Sequence, residues 1–287
     1  MTATRLVERD GIALPVRAGG PSRGEPVLLL HGFPQDSRCW AAVEPALHAA
    51  GLRTLAPDQR GYAPGARPDA VSAYRLEELA QDALAVLDDA GLGSAHVVGH
   101  DWGGGLAWYL GATQPARVRS LTVLSTPHPS ALARSMVGSL QPLRSLYMAW
   151  IQVPVLPEVV LARTLAATLR ASGLPEDLAA EYASRFDSPQ ALRGPLAWYR
   201  AAARHPPMRI LSGSEVIGIP TTYVWGRHDP ALGRAAADAT SRYVTGAEYR
   251  FVELDAGHWL PELCPDEVAA AVVDRVTRGG AAGSGQP

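Results

Sequence analysis

The sequence predicts an α/β fold in which helices cover both faces of a doubly wound, mostly parallel sheet. Three observations lead to this prediction. Short apolar segments typical of strands alternate with helical segments as far as residue 125. The alternation stops between residues 126 and 213, where prolines separate several helix-like segments and no strand is evident. Two further strand-like segments follow, so the helical stretch is predicted to be an insertion between two strands of one sheet.

The chain is therefore divided into four predicted parts. They are a first core segment (1–125), a helical cap or lid (126–213), a second core segment (214–278) and a disordered, glycine-rich tail (279–287). Apolar residues at helical spacing predict a helix over Tyr74–Ala90 and a last helix over Pro265–Arg278. The predicted strands are Arg5–Arg17, Pro26–Leu30, Arg53–Asp58, Val97–Val98, Val118–Ser125, Thr221–Trp225 and Tyr249–Leu254.

The composition limits the kinds of partner and chemistry. The 287 residues carry a formal net charge of -2, so neither nucleic acid nor an anionic membrane is an expected partner. No apolar run approaches the ~18 residues of a membrane span. All 26 basic residues are arginines, which excludes lysine Schiff-base chemistry. Two distant cysteines favour a reducing, cytoplasmic setting, and the absence of metal-ligand or nucleotide-binding spacings predicts no cofactor and no metal.

The most informative segment surrounds Asp101. Val97 and Val98 are typical of a buried strand, Gly99 and Gly103 lie two residues either side of the acid, and a helix is predicted directly after it. This arrangement matches a nucleophile elbow, in which a sharp turn presents the reactive side chain and small residues leave room for it. The usual residue is serine, but a carboxylate can attack an alkyl carbon without a neighbouring base. The alternative role, a helix N-cap, is less consistent with the flanking glycines.

An acid and a histidine follow the two last predicted strands. Asp229 lies just beyond Thr221–Trp225, and His258 lies just beyond Tyr249–Leu254. An ester on Asp101 must be cleaved by water, which needs a base near neutral pH. His258 suits that role, and Asp229 would fix its tautomer, although an acid before proline is also common in turns.

Hydrolysis of an ester passes through a tetrahedral oxyanion, which fixed N–H donors stabilise. The backbone N–H groups of Phe33 and Trp102 are the candidates, since one lies in a turn after a strand and the other directly follows the nucleophile. Pro34 removes a competing donor and stiffens the turn.

Three motifs together resemble the α/β-hydrolase-fold epoxide hydrolases. They are Gly-His-Asp-Trp-Gly-Gly around Asp101, His-Gly-Phe-Pro ending at Pro34, and Gly-His-Trp around His258. The likeness extends from about Val7 to Val276, and it implies an α/β-hydrolase fold with an inserted helical cap.

Two cap segments extend the resemblance. Arg193–Arg200 is similar to the family segment that carries one ring-opening tyrosine, which implies that role for Tyr199. Leu146–Pro154 is similar to the segment that carries the other, which implies Tyr147, although Met148 stands where the family often has glutamine. For either tyrosine, the alternative is ordinary packing within the cap.

The resemblance implies an epoxide hydrolase, which converts a small-molecule epoxide and water to a vicinal diol. Asp101 would attack an epoxide carbon while the two tyrosines hold the oxygen, because an alkoxide leaves far more easily when a phenol donates to it. The expected substrate pocket is formed by Phe33, Pro34, Trp102, Trp150 and Trp259. Monomer and homodimer are both open.

Two other functions use the same fold. A haloalkane or haloacid dehalogenase would employ the same nucleophile but needs only N–H donors for the halide, for which Trp102 and Trp150 are candidates. Tyr199 in its segment, and Phe33 where many dehalogenases carry an amide side chain, favour the epoxide hydrolase. The third possibility is a non-catalytic ligand-binding protein, because a fold does not by itself determine function.

Overall fold

The centre of the structure, a computed structural model that describes residues 3–206 and 216–283, is an eight-stranded sheet. The strands are Ala3–Arg9 (β1), Ile12–Gly19 (β2), Glu25–Leu30 (β3), Leu52–Pro57 (β4), Ala95–His100 (β5), Val118–Leu124 (β6), Thr221–Gly226 (β7) and Tyr249–Leu254 (β8). Their order is β1-β2-β4-β3-β5-β6-β7-β8, and only the β1–β2 and β2–β4 pairs are antiparallel. The predicted mostly parallel sheet is confirmed.

Helices cover both faces of this sheet and fill the interval between β6 and β7. The described α-helices are Glu44–Ala49 (α1), Leu76–Asp89 (α2), Trp102–Thr113 (α3), Pro129–Ser135 (α4), Gln141–Arg144 (α5), Leu146–Ile151 (α6), Leu156–Ala171 (α7), Glu176–Ser184 (α8), Pro189–Arg204 (α9), Arg234–Ala239 (α10), Leu260–Leu263 (α11) and Pro265–Gly283 (α12). Helices α2 and α3 contact each other and the sheet, as do α1 and α12. The predicted end of the cap at residue 213 lies outside the described residues.

The prediction of one long strand over Arg5–Arg17 was wrong. The chain reverses at Asp10 and Gly11, whose φ angles are +51° and +78°, and the two halves pair as the antiparallel strands β1 and β2. An Asp-Gly pair readily adopts positive φ at both central positions of a two-residue hairpin, whose twist matches that of the flanking strands. This turn explains the break in the apolar pattern.

The predicted disordered tail was also partly wrong. Helix α12 runs to Gly283, five residues beyond the predicted end at Arg278, so 279–283 are helical; 284–287 lie outside the described residues. Glycine lowers helix stability by about 1 kcal/mol relative to alanine. Since each added residue also gains a backbone hydrogen bond, glycine does not necessarily end an established helix.

The inserted helices are attached to the core by polar contacts at one end of the cap. The Trp198 indole in α9 donates to the Arg60 carbonyl at 2.8 Å, and Arg185, just after α8, lies 3.3 Å from Asp58. The parallel strands all point their carboxyl ends towards the cap, which is the edge of such a sheet where ligands bind. None of the described helices is long and apolar enough to cross a membrane.

Candidate active site

Asp101 occupies a strained turn between β5 and α3. Its φ and ψ are +51° and -119°, a conformation that costs a residue with a side chain on the order of 1–3 kcal/mol. Two glycines allow the turn to close: a Cβ on Gly99 would overlap the backbone of Gly103, and a Cβ on Gly103 would overlap the carbonyl of Leu30. The sequence therefore uses small residues to bring the start of α3 against the sheet, with the carboxylate at its edge.

The histidine and the second acid meet this carboxylate. His258 Nε2 lies 3.6 Å from Asp101 Oδ2, and His258 Nδ1 lies 2.7 Å from Asp229 Oδ2. The other oxygen of Asp229 accepts from the N–H groups of Ala231 and Leu232 at 2.8 and 2.9 Å. Because both oxygens are engaged and the residue is buried, Asp229 holds one orientation and sets that of the imidazole.

One predicted oxyanion donor already contacts the carboxylate. The Phe33 N–H donates to Asp101 Oδ1 at 2.8 Å, and a Cβ on the preceding Gly32 would lie 2.5 Å from the same oxygen. Trp102 is the first residue of α3, so its N–H has no partner within the helix. The Phe33 amide lies beside the carboxyl carbon at which an ester would be hydrolysed.

Both predicted tyrosines line a cavity of about 460 Å³ together with Asp101 and Trp102. The Tyr199 ring lies 4.8 Å from the Trp102 ring and 6.0 Å from the Tyr147 ring, centroid to centroid. Most other lining residues are apolar, and they come from α2, α4, α6, α9 and the loops after α4 and β7. They are Leu76, Leu132, Ala133, Met136, Met148, Ala149, Ala202, Ala203 and Leu232.

The other predicted pocket residues lie near the site but do not line this cavity. Phe33 packs edge-on against Tyr199, with ring centroids 5.8 Å apart, and Pro34 is buried. Trp259 is buried beside His258, and its indole donates to the Ser172 hydroxyl at 3.1 Å.

Trp150 is half-buried against the hydrophobic core. Of the five residues expected to form the pocket, Trp102 alone is on the cavity wall.

Sequence reasoning missed both the apolar cap wall and a supporting residue. Ala202 and Ala203 lie three and four residues after Tyr199 on α9, so helical spacing alone places them on the same face. His100 was overlooked although it lies inside the elbow motif. Its Nε2–H donates to the His258 carbonyl at 2.9 Å, which holds the backbone of His258, and burial lowers the pKa of His100 to about 4.

The charges of the site shift the pKa values of its members. Burial lowers the pKa of His258, but the carboxylates of Asp229 and Asp101 outweigh it and hold that pKa well above the usual range. Burial would raise the pKa of Asp101, yet His258 and the Phe33 N–H lower it. Asp101 is therefore a carboxylate at neutral pH.

The two phenols remain protonated. Burial raises the pKa of Tyr199 well above its usual value, and Tyr147 and Asp101 add to the effect. Burial and the Asp101 charge also raise the pKa of Tyr147. Both hydroxyls can therefore donate to a substrate oxygen. Elsewhere in the described chain, no group of three or more His, Cys, Asp or Glu side chains is arranged to hold a metal ion.

Comparisons with known proteins agree with this architecture. A family model described as the alpha/beta hydrolase fold matches residues 25–263. AB hydrolase superfamily protein YfhM of Bacillus subtilis is 33% identical over 281 residues, which cover 94% of this chain and 96% of that protein. The chain therefore belongs to the α/β hydrolase fold family.

Other relatives carry a more specific name. Epoxide hydrolase A of Mycobacterium tuberculosis is 32% identical over 315 residues, covering 95% of this chain and 97% of that protein. The crystal structure of epoxide hydrolase A from Mycobacterium thermoresistibile superimposes with a TM-score of 0.83 at 28% identity, covering 96% and 98% of the two chains. Within the α/β hydrolases, the chain groups with the epoxide hydrolases.

Proposed function

We propose that this enzyme opens an epoxide to a vicinal diol through a covalent ester on Asp101. The observation that carries the proposal is that one carboxylate and two protonated phenols share the wall of a single apolar cavity. The carboxylate is the nucleophile that an epoxide carbon requires. The phenols supply the proton that the opened oxygen requires, and the apolar wall accommodates the rest of an uncharged substrate.

In the first step, Asp101 Oδ2 or Oδ1 forms a bond to an epoxide carbon while the ring C–O bond breaks. The released alkoxide takes a proton from Tyr147 or Tyr199, which leaves a hydroxyalkyl ester and a tyrosinate. The positive charge on His258, 3.6 Å from the carboxylate, need not be used in this step because a carboxylate attacks without a base.

In the second step, water attacks the ester carbonyl. His258 takes a proton from the water, and Asp229 stabilises the imidazolium that forms through its 2.7 Å hydrogen bond to Nδ1. The N–H groups of Phe33 and Trp102 stabilise the oxyanion. Before this attack, the imidazolium of the free enzyme passes its proton to the tyrosinate through solvent, so His258 is neutral when it accepts the proton of the water. The tetrahedral intermediate then expels the diol alkoxide, which takes the proton of the new carboxyl group. His258 is again an imidazolium, Asp101 a carboxylate and both tyrosines phenols, as in the free enzyme.

The dehalogenase alternative has less support. A halide needs two or more N–H donors near the nucleophile, and Trp102 and Trp150 were the candidates. Only Trp102 lies on the described cavity wall, whereas two hydroxyl groups with no role in halide release face the same space. The free thiols of Cys39 and Cys264 support the further proposal of a reducing, cytoplasmic setting.

The proposal is tested by separating its two steps. His258→Gln removes the base but leaves the nucleophile, so we expect one equivalent of ester and little diol. Intact-mass measurement after exposure to an epoxide detects the adduct, and Asp101→Asn is the matched control that forms none. A panel of styrene-type, aliphatic and trans-disubstituted epoxides, with haloalkanes as controls, is assayed for diol and halide. No adduct in the His258 variant, or release of halide instead of diol, would contradict the proposal.

A further inference from the structure

One segment of the cap presents an unusually apolar surface. Thirteen large hydrophobic side chains are exposed in the described chain, and ten of them belong to residues 136–160. Exposed apolar residues that are scattered singly are ordinary, whereas a concentration of them marks a surface that contacts something apolar. Tyr147 is one of the ten but lines the active-site cavity. We call the other nine residues the apolar cap surface: Met136, Val137, Leu140, Leu143, Leu146, Val153, Val155, Leu156 and Val160.

The apolar cap surface lies between two cavities. Met136 of this surface also lines the cavity that holds Asp101, so this surface borders the active site. Val155 lines a second, larger cavity of about 640 Å³ between α7, α9 and the loop that precedes α2. Gln152 lines both cavities. Whatever covers this surface therefore lies next to the path by which a substrate reaches Asp101.

The charge around this surface is positive. Residues 136–157 contain one charged side chain, Arg144. In the second cavity, Arg200 and Glu158 neutralise each other in an ion pair. The other charged residues that line it are three arginines (Arg67, Arg193 and Arg204) and one acid (Asp69).

The guanidinium of Arg67 makes hydrogen bonds to backbone carbonyls, and the acid that acts on its pKa is Asp187. It donates to the carbonyls of Gly61 and Tyr62 at 3.1 Å each, and it forms no ion pair with a described residue. These two bonds use the Nε and Nη2 groups of Arg67 and fix the guanidinium in place. Its remaining N–H groups are available to bind an anion.

This charge pattern distinguishes between two possible occupants. In a symmetric dimer the same patch faces itself, so the arginines of one copy would approach those of the other with only Asp69 of each copy to balance them. A phospholipid surface has an apolar interior beneath anionic headgroups, which complements an apolar face with a cationic cavity beside it. The charge of the whole chain, -2, conceals this because most acids lie elsewhere.

We propose that the apolar cap surface docks on an anionic phospholipid membrane, with lipid headgroups against the arginines of the second cavity. Exposed leucines such as Leu140 and Leu143 enter the region below the headgroups. The active-site cavity then opens beside the bilayer, where apolar epoxides concentrate. Docking of this kind is peripheral and requires no membrane-spanning helix.

The test is co-sedimentation of the full-length protein with vesicles of phosphatidylcholine alone or mixed with phosphatidylglycerol. We expect binding to the anionic vesicles that weakens as salt is raised. Leu143→Glu should weaken binding to these vesicles at least about tenfold, because it places a charge where the bound protein would bury a leucine in the bilayer. Leu6→Glu is the matched control, since Leu6 on β1 is 62% exposed against 65% for Leu143.

A second pair of variants tests the electrostatic part. Arg193→Gln should weaken binding to anionic vesicles about fivefold. Arg23→Gln, at an exposed arginine in the loop before β3, should leave it unchanged. Hydrolysis of a water-soluble epoxide without vesicles is measured for each variant to check its fold, and vesicle binding is read independently of whether any diol forms.

Three results would overturn the proposal. The first is equal binding by wild type and Leu143→Glu. The second is binding that soluble glycerol phosphate abolishes, since a free anion lacks the apolar part. The third is a stable dimer in gel filtration that Leu143→Glu dissociates, which would assign this surface to a second copy of the chain.

Discussion

Replacing Asp229 with asparagine should stop the second chemical step and spare the first. An asparagine can keep its oxygen towards the N–H groups of Ala231 and Leu232, or it can turn that oxygen towards His258. The second orientation places an NH₂ group against two buried N–H donors. Leaving each of these N–H donors unsatisfied costs about 1–3 kcal/mol, so the first orientation is lower in free energy by about 2–6 kcal/mol.

In the favoured orientation the asparagine NH₂ donates to His258 Nδ1. The single proton of the neutral imidazole must then lie on Nε2, which points at Asp101, and Nε2 can no longer accept a proton from water. Ester hydrolysis should fall on the order of 10⁴-fold, the loss that this tautomer error causes in a comparable triad. Ester formation should change less than ~10-fold because it needs no base.

The measurement is a single turnover with excess enzyme, quenched at intervals and followed by intact mass for the ester and by chromatography for the diol. Asp255→Asn is the control. Its carboxylate lies 2.7 Å from His228 Nε2, but the pair is exposed on the surface, so both rates should equal those of the wild type. A parallel fall of ester formation and hydrolysis in Asp229→Asn, or no accumulation of ester, would refute the assignment of Asp229.

Three further predictions follow from the geometry. Tyr199→Phe or Tyr147→Phe should slow ester formation at least ~10-fold, and the double variant ~10²-fold or more, with ester hydrolysis unchanged in the same single-turnover assay. Gly103→Ala should lower the free energy of unfolding by about 3 kcal/mol in urea titrations, because the new methyl overlaps a backbone carbonyl, whereas Gly105→Ala, with open space at its Cβ, should not. Acid should destabilise the fold: the pKa of His100 is lowered by burial to about 4, so the unfolded chain binds more protons below pH 6.5. The free energy of unfolding should therefore fall by on the order of 3 kcal/mol, from this residue alone, as the pH falls from 6.5 to 4. Urea titrations at a series of pH values measure this fall.

Local sequence determines the strands and the elbow, which is why they could be predicted. Val97 and Val98 form the buried end of β5, and the glycines around Asp101 are those that the turn requires. Asp229 and His258 could be placed because parallel strands end at one edge of the sheet, so their order along the chain implies their proximity. The hairpin at Asp10 was not predicted, because one Asp-Gly pair inside a run of apolar and charged residues does not by itself separate two strands from one.

The pocket wall depends on how distant segments pack, and so most of it could not be predicted. Trp150 and Trp259 were expected there because they lie beside motif residues, but adjacency in sequence does not decide which way a side chain faces. Met136 lines the cavity although no motif includes it. The concentration of exposed apolar residues was equally hidden, since a leucine in a predicted helix is more often buried than exposed.

In the proposed reaction, the charge balance around His258 determines the order of the two steps. In the free enzyme the imidazole lies between Asp229 and Asp101, and the two carboxylates together hold its pKa high, so it is an imidazolium rather than a base. Forming the ester removes the negative charge of Asp101, and with it one of the two interactions that favoured the proton. The pKa of His258 must then fall, and the base becomes available only once there is an ester to hydrolyse. The same change also lowers the pKa of Tyr199, because the Asp101 charge that raises it disappears as the ester forms. The phenol therefore becomes a better acid when the alkoxide needs its proton.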